Sequence, residues 1–284
     1  MTGRDPFSVV SRNRETLDRE EEKLNVGRRL LGRDAATVLA PAIKNATGDP
    51  AATAEALFLA GESVKETLAK TEARVAFVLR LLELCGIAES DLFPVLPEGQ
   101  PLRVLYARAG AADRAFRLVS GVYPDLRVGY AETNLDAAEG VEAGDADLLL
   151  LPYADAAGTP VLSTETLSET HGLYLTALAR ISVGEGLFYG LYGRAILPGS
   201  TGRVTLHFSL PSPDAETLSG LYSFARETGL SPDGALPATP ERRARIALSG
   251  KKRDCLAAAV YAHLFCPGCE LLGWRAASAI TERR

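Results

Sequence analysis

Residues 1–97 carry apolar residues at helical spacing, without the alternation that is typical of strands. Asp49 followed by Pro50 is typical of an N-cap and a first helical residue, and Gly86 is a stop signal. The pattern therefore predicts a helical region, in which the helix that begins at Pro50 runs for more than about 30 residues, as in a hairpin or in a helix that pairs two subunits. Three prolines in residues 93–101 predict a linker.

The pattern changes in residues 98–202. Three short apolar runs, "LRVLYA", "LRVGYAE" and "ADLLLLPYA", alternate with stretches at helical spacing. Strands that alternate with helices predict a parallel α/β domain, in which ligands usually lie at the carboxyl ends of the strands. The glycine-rich apolar segment that follows predicts one or two further strands before a turn at residues 198–202.

Residues 203–284 open with strand-like alternation in "RVTLHFSLP" and continue as a helix, an extended segment, a strand, a helix and a strand. This βαββαβ order predicts a ferredoxin-like domain, a fold that many small regulatory modules share. The predicted fold class is therefore a multidomain combination of α/β and α+β structure, with an N-terminal helical region, a central parallel α/β domain and a C-terminal ferredoxin-like domain.

Composition places the chain among ordinary soluble globular proteins, with 46% hydrophobic residues, 24% charged residues and a net charge of −5. Its basic residues are scattered, so we expect no nucleic-acid partner. No apolar run approaches the roughly 20 residues of a membrane span, so we expect no membrane partner. The first residues lack the apolar core of a signal peptide, which predicts a cytoplasmic protein with reduced thiols.

One C-x-x-C pair is present, formed by Cys266 and Cys269. A redox centre requires such a pair at a helix N-terminus after a strand and a lowered thiol pKa, whereas this pair follows a predicted helix. A turn through Pro267 and Gly268 is the favoured interpretation. The chain has three histidines, too few at suitable spacing to complete a zinc site, and we expect neither a metal nor a cofactor.

Residues 147–167 read "DLLLLPYADAAGTPVLSTETL", and several of them keep the spacing of the segment D-x-x-x-x-P-I-E-N-S-x-x-G-S-V-x-x-T-x-D-L-L. The matching residues are Asp147, Pro152, Val161, Thr164 and Leu167. This segment resembles the prephenate dehydratase family, and the order of the three regions resembles bifunctional chorismate mutase and prephenate dehydratase proteins that end in an ACT domain. The polar part, Ile-Glu-Asn-Ser, is replaced by Tyr-Ala-Asp-Ala.

The resemblance implies a dehydratase pocket in the central domain. Dehydration of prephenate expels a hydroxyl group with carbon dioxide, so it needs an acid and donors for two carboxylates. Asp155 is the candidate acid if burial raises its pKa. The candidate substrate-binding residues are Arg108, Gly110, Gly158 and Thr164. The family's Thr-Arg-Phe signature has no counterpart before residue 203, and its second α/β subdomain is missing.

The helical region resembles helical chorismate mutases in one spacing. Their rearrangement needs cations that hold two carboxylates, and Arg33 and Lys44 stand eleven residues apart, which is close to three helical turns. Pro41 is expected to interrupt the helix between them. The usual glutamine is missing, and its place could be taken by Glu62, Glu66 or Glu72. The alternative interpretation is a solvated helix face.

The C-terminal region resembles an ACT domain, in which Ala215 and Leu218 stand in the effector-binding loop; the family's second effector motif falls on residues 236–239 and is not kept. The resemblance implies a protein of phenylalanine biosynthesis with an eroded dehydratase site, in which chorismate mutase activity is possible. The alternative is a non-catalytic sensor or assembly partner. The expected ligands are chorismate, prephenate or phenylalanine, and the expected assembly is a homodimer.

Overall fold

The computed structural model describes residues 6–155, 157–182, 187–197, 202–211, 214–236 and 243–281, and within them it contains a mixed α/β structure. The α-helices are α1 (Pro6–Lys44), α2 (Pro50–Val64), α3 (Thr71–Cys85), α4 (Ala112–Val122), α5 (Asn134–Glu142), α6 (Leu162–Thr170), α7 (Ala215–Glu227) and α8 (Lys252–Phe265). The strands are β1 (Leu102–Ala107), β2 (Leu126–Ala131), β3 (Leu148–Ala154), β4 (Tyr174–Ile181), β5 (Leu187–Gly193), β6 (Arg203–Leu210), β7 (Ser231–Leu236), β8 (Ala244–Lys251), β9 (Glu270–Ala276) and β10 (Ile280–Thr281).

Helix α1 continues through Pro41, and the expected interruption is therefore wrong. Proline removes one backbone N–H, which would otherwise bond to the carbonyl of Thr37. Both residues are exposed, so water can satisfy that carbonyl. The long helix α1 places Arg33 and Lys44 on one continuous helix after all.

The single helix expected from Pro50 onward is two helices, α2 and α3. The predicted boundary signals are confirmed: Asp49 Oδ1 accepts hydrogen bonds from the N–H groups of Ala51 and Ala52, and Gly86 has φ 67° after α3. The break comes at residues 65–70, where the chain turns back and buries Leu68 completely. The helical pattern did not distinguish this side chain in the turn from the apolar side chains of a continuous helix.

All ten strands form one sheet, in which nine follow the order β2-β1-β3-β5-β4-β9-β6-β8-β7 and β10 pairs with β4. Strands β1, β2 and β3 are parallel, whereas β5 is antiparallel to both β3 and β4. The central sheet is therefore mixed, not parallel as the sequence predicted. The βαββαβ unit has the order β9-β6-β8-β7, which is the arrangement of a ferredoxin-like motif.

The helical region and the βαββαβ unit share one hydrophobic core. Helix α2 lies so close to α8 that a Cβ atom added to Gly61 would be 1.9 Å from the carbonyl oxygen of Leu264. The predicted linker is also packed: Phe93 is fully buried, with its ring centroid 5.9 Å from that of Trp274 and 5.5 Å from that of Tyr174. This part of the chain is a buried connection between the helices and the sheet.

Candidate functional site

A cavity of about 390 Å³ lies between the carboxyl end of β3, helix α6 and the face of β6 and β8 that points away from α7 and α8. We call it the junction cavity. Its apolar wall is formed by Tyr153, Leu175, Leu178, Phe188, Tyr192, Phe208, Ile246 and Leu272. Its polar side chains are Glu165, Ser168, His207, Asp233, Arg245 and Arg275. A concave apolar site with a few convergent polar groups is typical of a small-molecule site.

Three residues that line the junction cavity stand at irregularities of strand pairing. The register shifts around Tyr153 in β3, around Asp233 in β7 and around Leu272 in β9. A bulge turns a side chain out of the regular alternation, and bulges are common beside binding sites. These three irregularities therefore aim side chains from separate strands into one cavity.

Arg275 is at the centre of the polar side of the cavity, and its side chain is 6% exposed. Its Nε donates to His207 Nε2 at 3.0 Å, and its Nη2 donates to Asp233 Oδ2 at 3.0 Å. Its Nη1 donates to the carbonyl oxygens of Ala276 and Ala277. A buried cation is stable when it is paired and hydrogen-bonded, and Arg275 meets both conditions.

Arg245 connects the two halves of the cavity. It extends from β8 and makes ion pairs with two residues of α6: Nη1 lies 3.2 Å from Glu165 Oε1, and Nη2 donates to Glu169 Oε1 at 2.7 Å. The side chains of Arg245 and Glu165 are 17% and 11% exposed. These contacts fix α6 against the ferredoxin-like unit.

His207 is neutral in this arrangement. Burial lowers its pKa well below the usual value, and the positive charges of Arg275 and Arg245 lower it further. Because Nε2 accepts from Arg275, the ring proton lies on Nδ1. Burial also raises the pKa values of Tyr153 and Tyr192, so both keep their protons at neutral pH. These three side chains can orient a ligand without adding charge.

Acid is expected to destabilise the protein through His207 and His263. Burial lowers the pKa of His263 to about 4 from an unfolded value near 6.5, and the pKa of His207 is lowered as well. Since the unfolded chain binds more protons below pH 6.5, this stability is full above that pH and falls as the pH falls toward 4. We expect a loss of about 2 kcal/mol from His263 alone by pH 5. Urea unfolding at several pH values measures this loss of stability. In His263→Gln the free energy of unfolding should depend less steeply on pH, and an unchanged dependence would contradict the role of His263.

Two of the residues predicted for the dehydratase pocket belong to the cavity or its frame. Gly158, with φ 83°, lines the cavity. Thr164 is 3% exposed, and its hydroxyl donates to the carbonyl oxygen of Pro152 at 2.6 Å, which fastens α6 to β3. The retained threonine therefore has a structural role.

Asp155 does not meet the condition set for an acid. It is exposed, and its Oδ1 accepts from the backbone N–H of Thr159 at 2.8 Å in the turn after β3. Asp155 shapes the turn that leads to Gly158.

Arg108 and Gly110 lie at the end of β1, outside the junction cavity. The guanidinium of Arg108 stacks 4.0 Å above the ring of Tyr130 and donates to its hydroxyl group. Gly110 has φ 56°, and an added Cβ would be 3.3 Å from the hydroxyl of Tyr189. The structure therefore separates these predicted binding residues from Gly158 and Thr164.

Arg33 lines a second cavity of about 390 Å³, which we call the helical groove. Arg29 on α1 and Arg80 on α3 lie in the same groove, together with Glu72, one of the three glutamates proposed to replace the missing glutamine. Lys44 lies three helical turns further along α1, where it is exposed and does not line the groove. The structure brings Arg33 together with two other arginines instead.

The predicted effector residues are on α7, away from the junction cavity. Ala215 is exposed, and Leu218 is half-buried against the core shared with the helical region. Of the second effector segment, residues 237–239 lie outside the described residues.

The cysteine pair forms the expected turn: the N–H of Cys269 donates to the carbonyl oxygen of Cys266 at 3.1 Å, and Gly268 has φ 68°. Burial raises the pKa of Cys266 to about 12 and raises that of Cys269 well above the usual value. A redox centre needs the opposite shift, so the pair lacks the property that this hypothesis requires. Within the described ranges, no three His, Cys, Asp or Glu side chains are grouped as a metal site would require.

Sequence reasoning missed the polar residues of the junction cavity. Arg245 stands in a run of basic residues, a pattern that is common on exposed surfaces, whereas its side chain is 17% exposed and held in ion pairs. One signal was present: His207 lies on the polar face of an alternating strand, together with Thr205 and Ser209, and Arg275 follows the apolar residues of β9. Polar residues at such positions indicate either a solvated face or a site.

No family model matches the chain, and no curated protein matches it. Several solved structures are similar. A prephenate dehydratase from Streptococcus mutans is 13% identical, with a TM-score of 0.48 over 64% of this chain and 100% of that one. A prephenate dehydratase from Arthrobacter aurescens, solved in complex with L-Phe, is 14% identical, with a TM-score of 0.47 over 61% of this chain and 89% of that one. GqqA, described as a novel type of quorum quenching acylase, is 18% identical, with a TM-score of 0.46 over 62% of this chain and 94% of that one.

Across the described part of the chain, none of the helices combines the length and the apolar character needed to cross a membrane.

Proposed function

We propose that this chain is a prephenate dehydratase-like protein of aromatic amino acid biosynthesis whose junction cavity binds a small ring-bearing carboxylate without dehydrating it. Phenylalanine, prephenate and chorismate belong to this class. The observation that carries the proposal is the meeting of Arg245 and Arg275 with an aromatic wall in one cavity.

The two sides of the cavity suit the two parts of such a ligand. A guanidinium binds a carboxylate through charge-assisted hydrogen bonds. The ring of Phe188, which is partly exposed, offers an apolar surface to the ligand ring. The volume of about 390 Å³ is within the range of small-molecule pockets.

Dehydration needs a proton donor that the cavity lacks at neutral pH. Glu165 is engaged in an ion pair with Arg245, and His207 is neutral with a lowered pKa. Tyr153 holds its proton because burial raises its pKa. The residues therefore support binding, and the proposed role is that of a sensor or of a partner to another enzyme.

Calorimetric titration tests this proposal directly. The purified chain should bind at least one of phenylalanine, prephenate and chorismate, while prephenate should not be consumed. Arg245→Gln should weaken binding by about 30-fold, because a charged hydrogen-bond partner contributes roughly 2 kcal/mol. Arg253→Gln, at an exposed arginine outside the cavity, is the matched control. If none of the three compounds binds, or if prephenate is dehydrated, the proposal fails.

Chorismate mutase activity in the helical groove is the second candidate function. It is favoured by one observation, because the rearrangement requires cations at two carboxylates and three arginines meet in the groove. The charged residues that line it are Arg29, Arg33, Arg80, Glu72, Glu83 and Glu227. Chorismate consumption should then be lost in Arg33→Ala and kept in Arg19→Ala, which changes an exposed arginine of the same helix outside the groove. Absence of consumption by the unaltered chain removes this candidate.

We also propose that α1 pairs with α1 of a second copy. The helix exposes four apolar side chains at a spacing of seven residues, which are Leu17 (69% exposed), Leu24 (60%), Leu31 (44%) and Val38 (76%). Their spacing of seven residues makes one apolar stripe along α1, and a coiled-coil seam places such a stripe against a partner helix. Light scattering should give the mass of two chains, and Leu24→Glu should halve it. Leu135→Glu, at a half-exposed leucine of α5, should leave the mass unchanged, and a monomeric unaltered chain would contradict the pairing.

A further inference from the structure

Two tyrosine hydroxyl groups in the junction cavity have no hydrogen-bond partner among the described residues. They belong to Tyr153 of β3 and Tyr192 of β5, whose side chains both line the cavity. A buried tyrosine O–H usually finds a partner within the protein, so two that do not are available to a ligand. We infer that the cavity distinguishes ring-bearing carboxylates by a hydroxyl group on the ring, and that Tyr192 and Tyr153 bind that group. The inference rests on the proposed function, since it concerns the ligand of the same cavity.

Tyr192 is directed into the cavity by a glycine of its own strand. Its side chain is 5% exposed. A Cβ atom added to Gly190 would be 2.5 Å from Cε2 of Tyr192 and 3.0 Å from its Cζ, so the tyrosine ring lies over this glycine. Tyr192 pairs with Leu149 of β3, whereas Gly190 pairs with Leu151, nearer to the carboxyl end of that strand. The ring therefore extends toward the cavity, and the missing side chain of Gly190 makes room for it.

Tyr153 reaches the same part of the cavity from the neighbouring strand. It stands at the irregularity between Pro152 and Ala154, which turns its side chain out of the regular alternation. The residue is half-buried. Burial raises the pKa of Tyr192, and the neighbouring Tyr153 raises it further, so the two side chains lie close enough to interact. Both hydroxyl groups can therefore contact a single group of a ligand.

A ring hydroxyl matches this pair of tyrosines in its hydrogen-bonding capacity. Each phenol O–H donates one hydrogen bond and can also accept. A ligand hydroxyl can therefore accept from one tyrosine and donate to the other, while Arg245 binds the carboxylate. A ring without the hydroxyl displaces water from both tyrosines and does not replace its hydrogen bonds, which lowers affinity.

Two probes that differ by one hydroxyl group test the inference. 3-(4-Hydroxyphenyl)propionate and 3-phenylpropionate share the ring, the chain and the carboxylate. Calorimetric titration of the unaltered chain should show the hydroxylated compound binding at least about tenfold more tightly. Equal affinities would overturn the inference and leave the proposed function standing, because both compounds are ring-bearing carboxylates. Absence of binding by both compounds also overturns the inference, whereas the proposed function falls only if phenylalanine, prephenate and chorismate fail to bind as well.

Tyr192→Phe assigns the preference to a residue, because it removes the hydroxyl group alone. Affinity for the hydroxylated compound should fall at least about fivefold, and affinity for 3-phenylpropionate should stay the same. Tyr222→Phe, at a tyrosine of α7 outside the cavity, should change neither affinity. An equal loss for both compounds in Tyr192→Phe would place Tyr192 at the carboxylate and overturn the inference.

The stability of Tyr192→Phe without ligand separates a binding role from a structural one. Because the hydroxyl group of Tyr192 has no partner among the described residues, its removal should leave the melting temperature unchanged or raise it. Thermal unfolding beside Tyr222→Phe measures the difference. A melting temperature that falls in Tyr192→Phe alone would show that this hydroxyl group is hydrogen-bonded within the protein, which overturns the inference.

Discussion

Gly61→Ala is expected to lower the free energy of unfolding by about 3 kcal/mol, at the upper end of what overpacking usually costs. The added Cβ would lie 1.9 Å from the carbonyl oxygen of Leu264 and 2.8 Å from its Cα. Both atoms belong to the backbone of α8, so no side-chain rotation can relieve the contact. Helices α2 and α8 would have to separate and lose part of the shared core.

Urea unfolding of Gly61→Ala and Gly27→Ala provides the comparison. In Gly27→Ala the added Cβ meets no atom within 4 Å, and alanine favours a helix interior over glycine by about 1 kcal/mol. The second variant should therefore be as stable as the original chain or slightly more stable. If Gly61→Ala were as stable as Gly27→Ala, the close contact between α2 and α8 would be disproved.

Arg275→Met is expected to cost about 3 kcal/mol of folding free energy and to abolish ligand binding. Methionine fills much of the same space but leaves Asp233 and His207 without the guanidinium that they contact. Removing one partner of a buried ion pair costs about 3–5 kcal/mol of folding free energy. Because Asp233 is partly exposed, we expect a loss near the lower of these values.

Lys65→Met is a suitable control, because its pair with Glu62 lies on the surface outside both cavities and contributes less than about 1 kcal/mol. Thermal unfolding of both variants, followed by titration with L-phenylalanine, measures stability and binding in the same samples. A stable Arg275→Met variant would show that the network around Arg275 contributes little to the fold.

The local elements could be predicted from the sequence to a large extent. The apolar runs that became β1, β2, β3, β6, β8 and β9 had the right periodicity, and Asp49 and Gly86 marked real helix boundaries. The errors came from tertiary packing. Pro41 was tolerated because its surroundings are exposed, and the chain leaves α2 through a turn whose Leu68 is buried in the core. Neither condition can be read from local periodicity.

The junction cavity could not be predicted because it depends on contacts between distant segments. Arg245 meets Glu165 across 80 residues, and Arg275 meets Asp233 across 42. The side chains of Tyr153, Asp233 and Leu272 enter it at irregularities of strand pairing, which have no reliable signal in a single sequence. The family resemblance located Gly158 and Thr164, at one wall of the cavity, but the other wall comes from the C-terminal strands.

The position of β9 and β10 beside β4 affects how the chain must fold during synthesis. Strand β4 pairs with β5 on one side, and among the described residues its other side is covered by those near 273 and 280–281. About a hundred residues must therefore leave the ribosome before that hydrogen-bonding edge is closed. An open strand edge can pair with another chain, so nascent chains that stall before residue 270 should aggregate more readily than the finished protein.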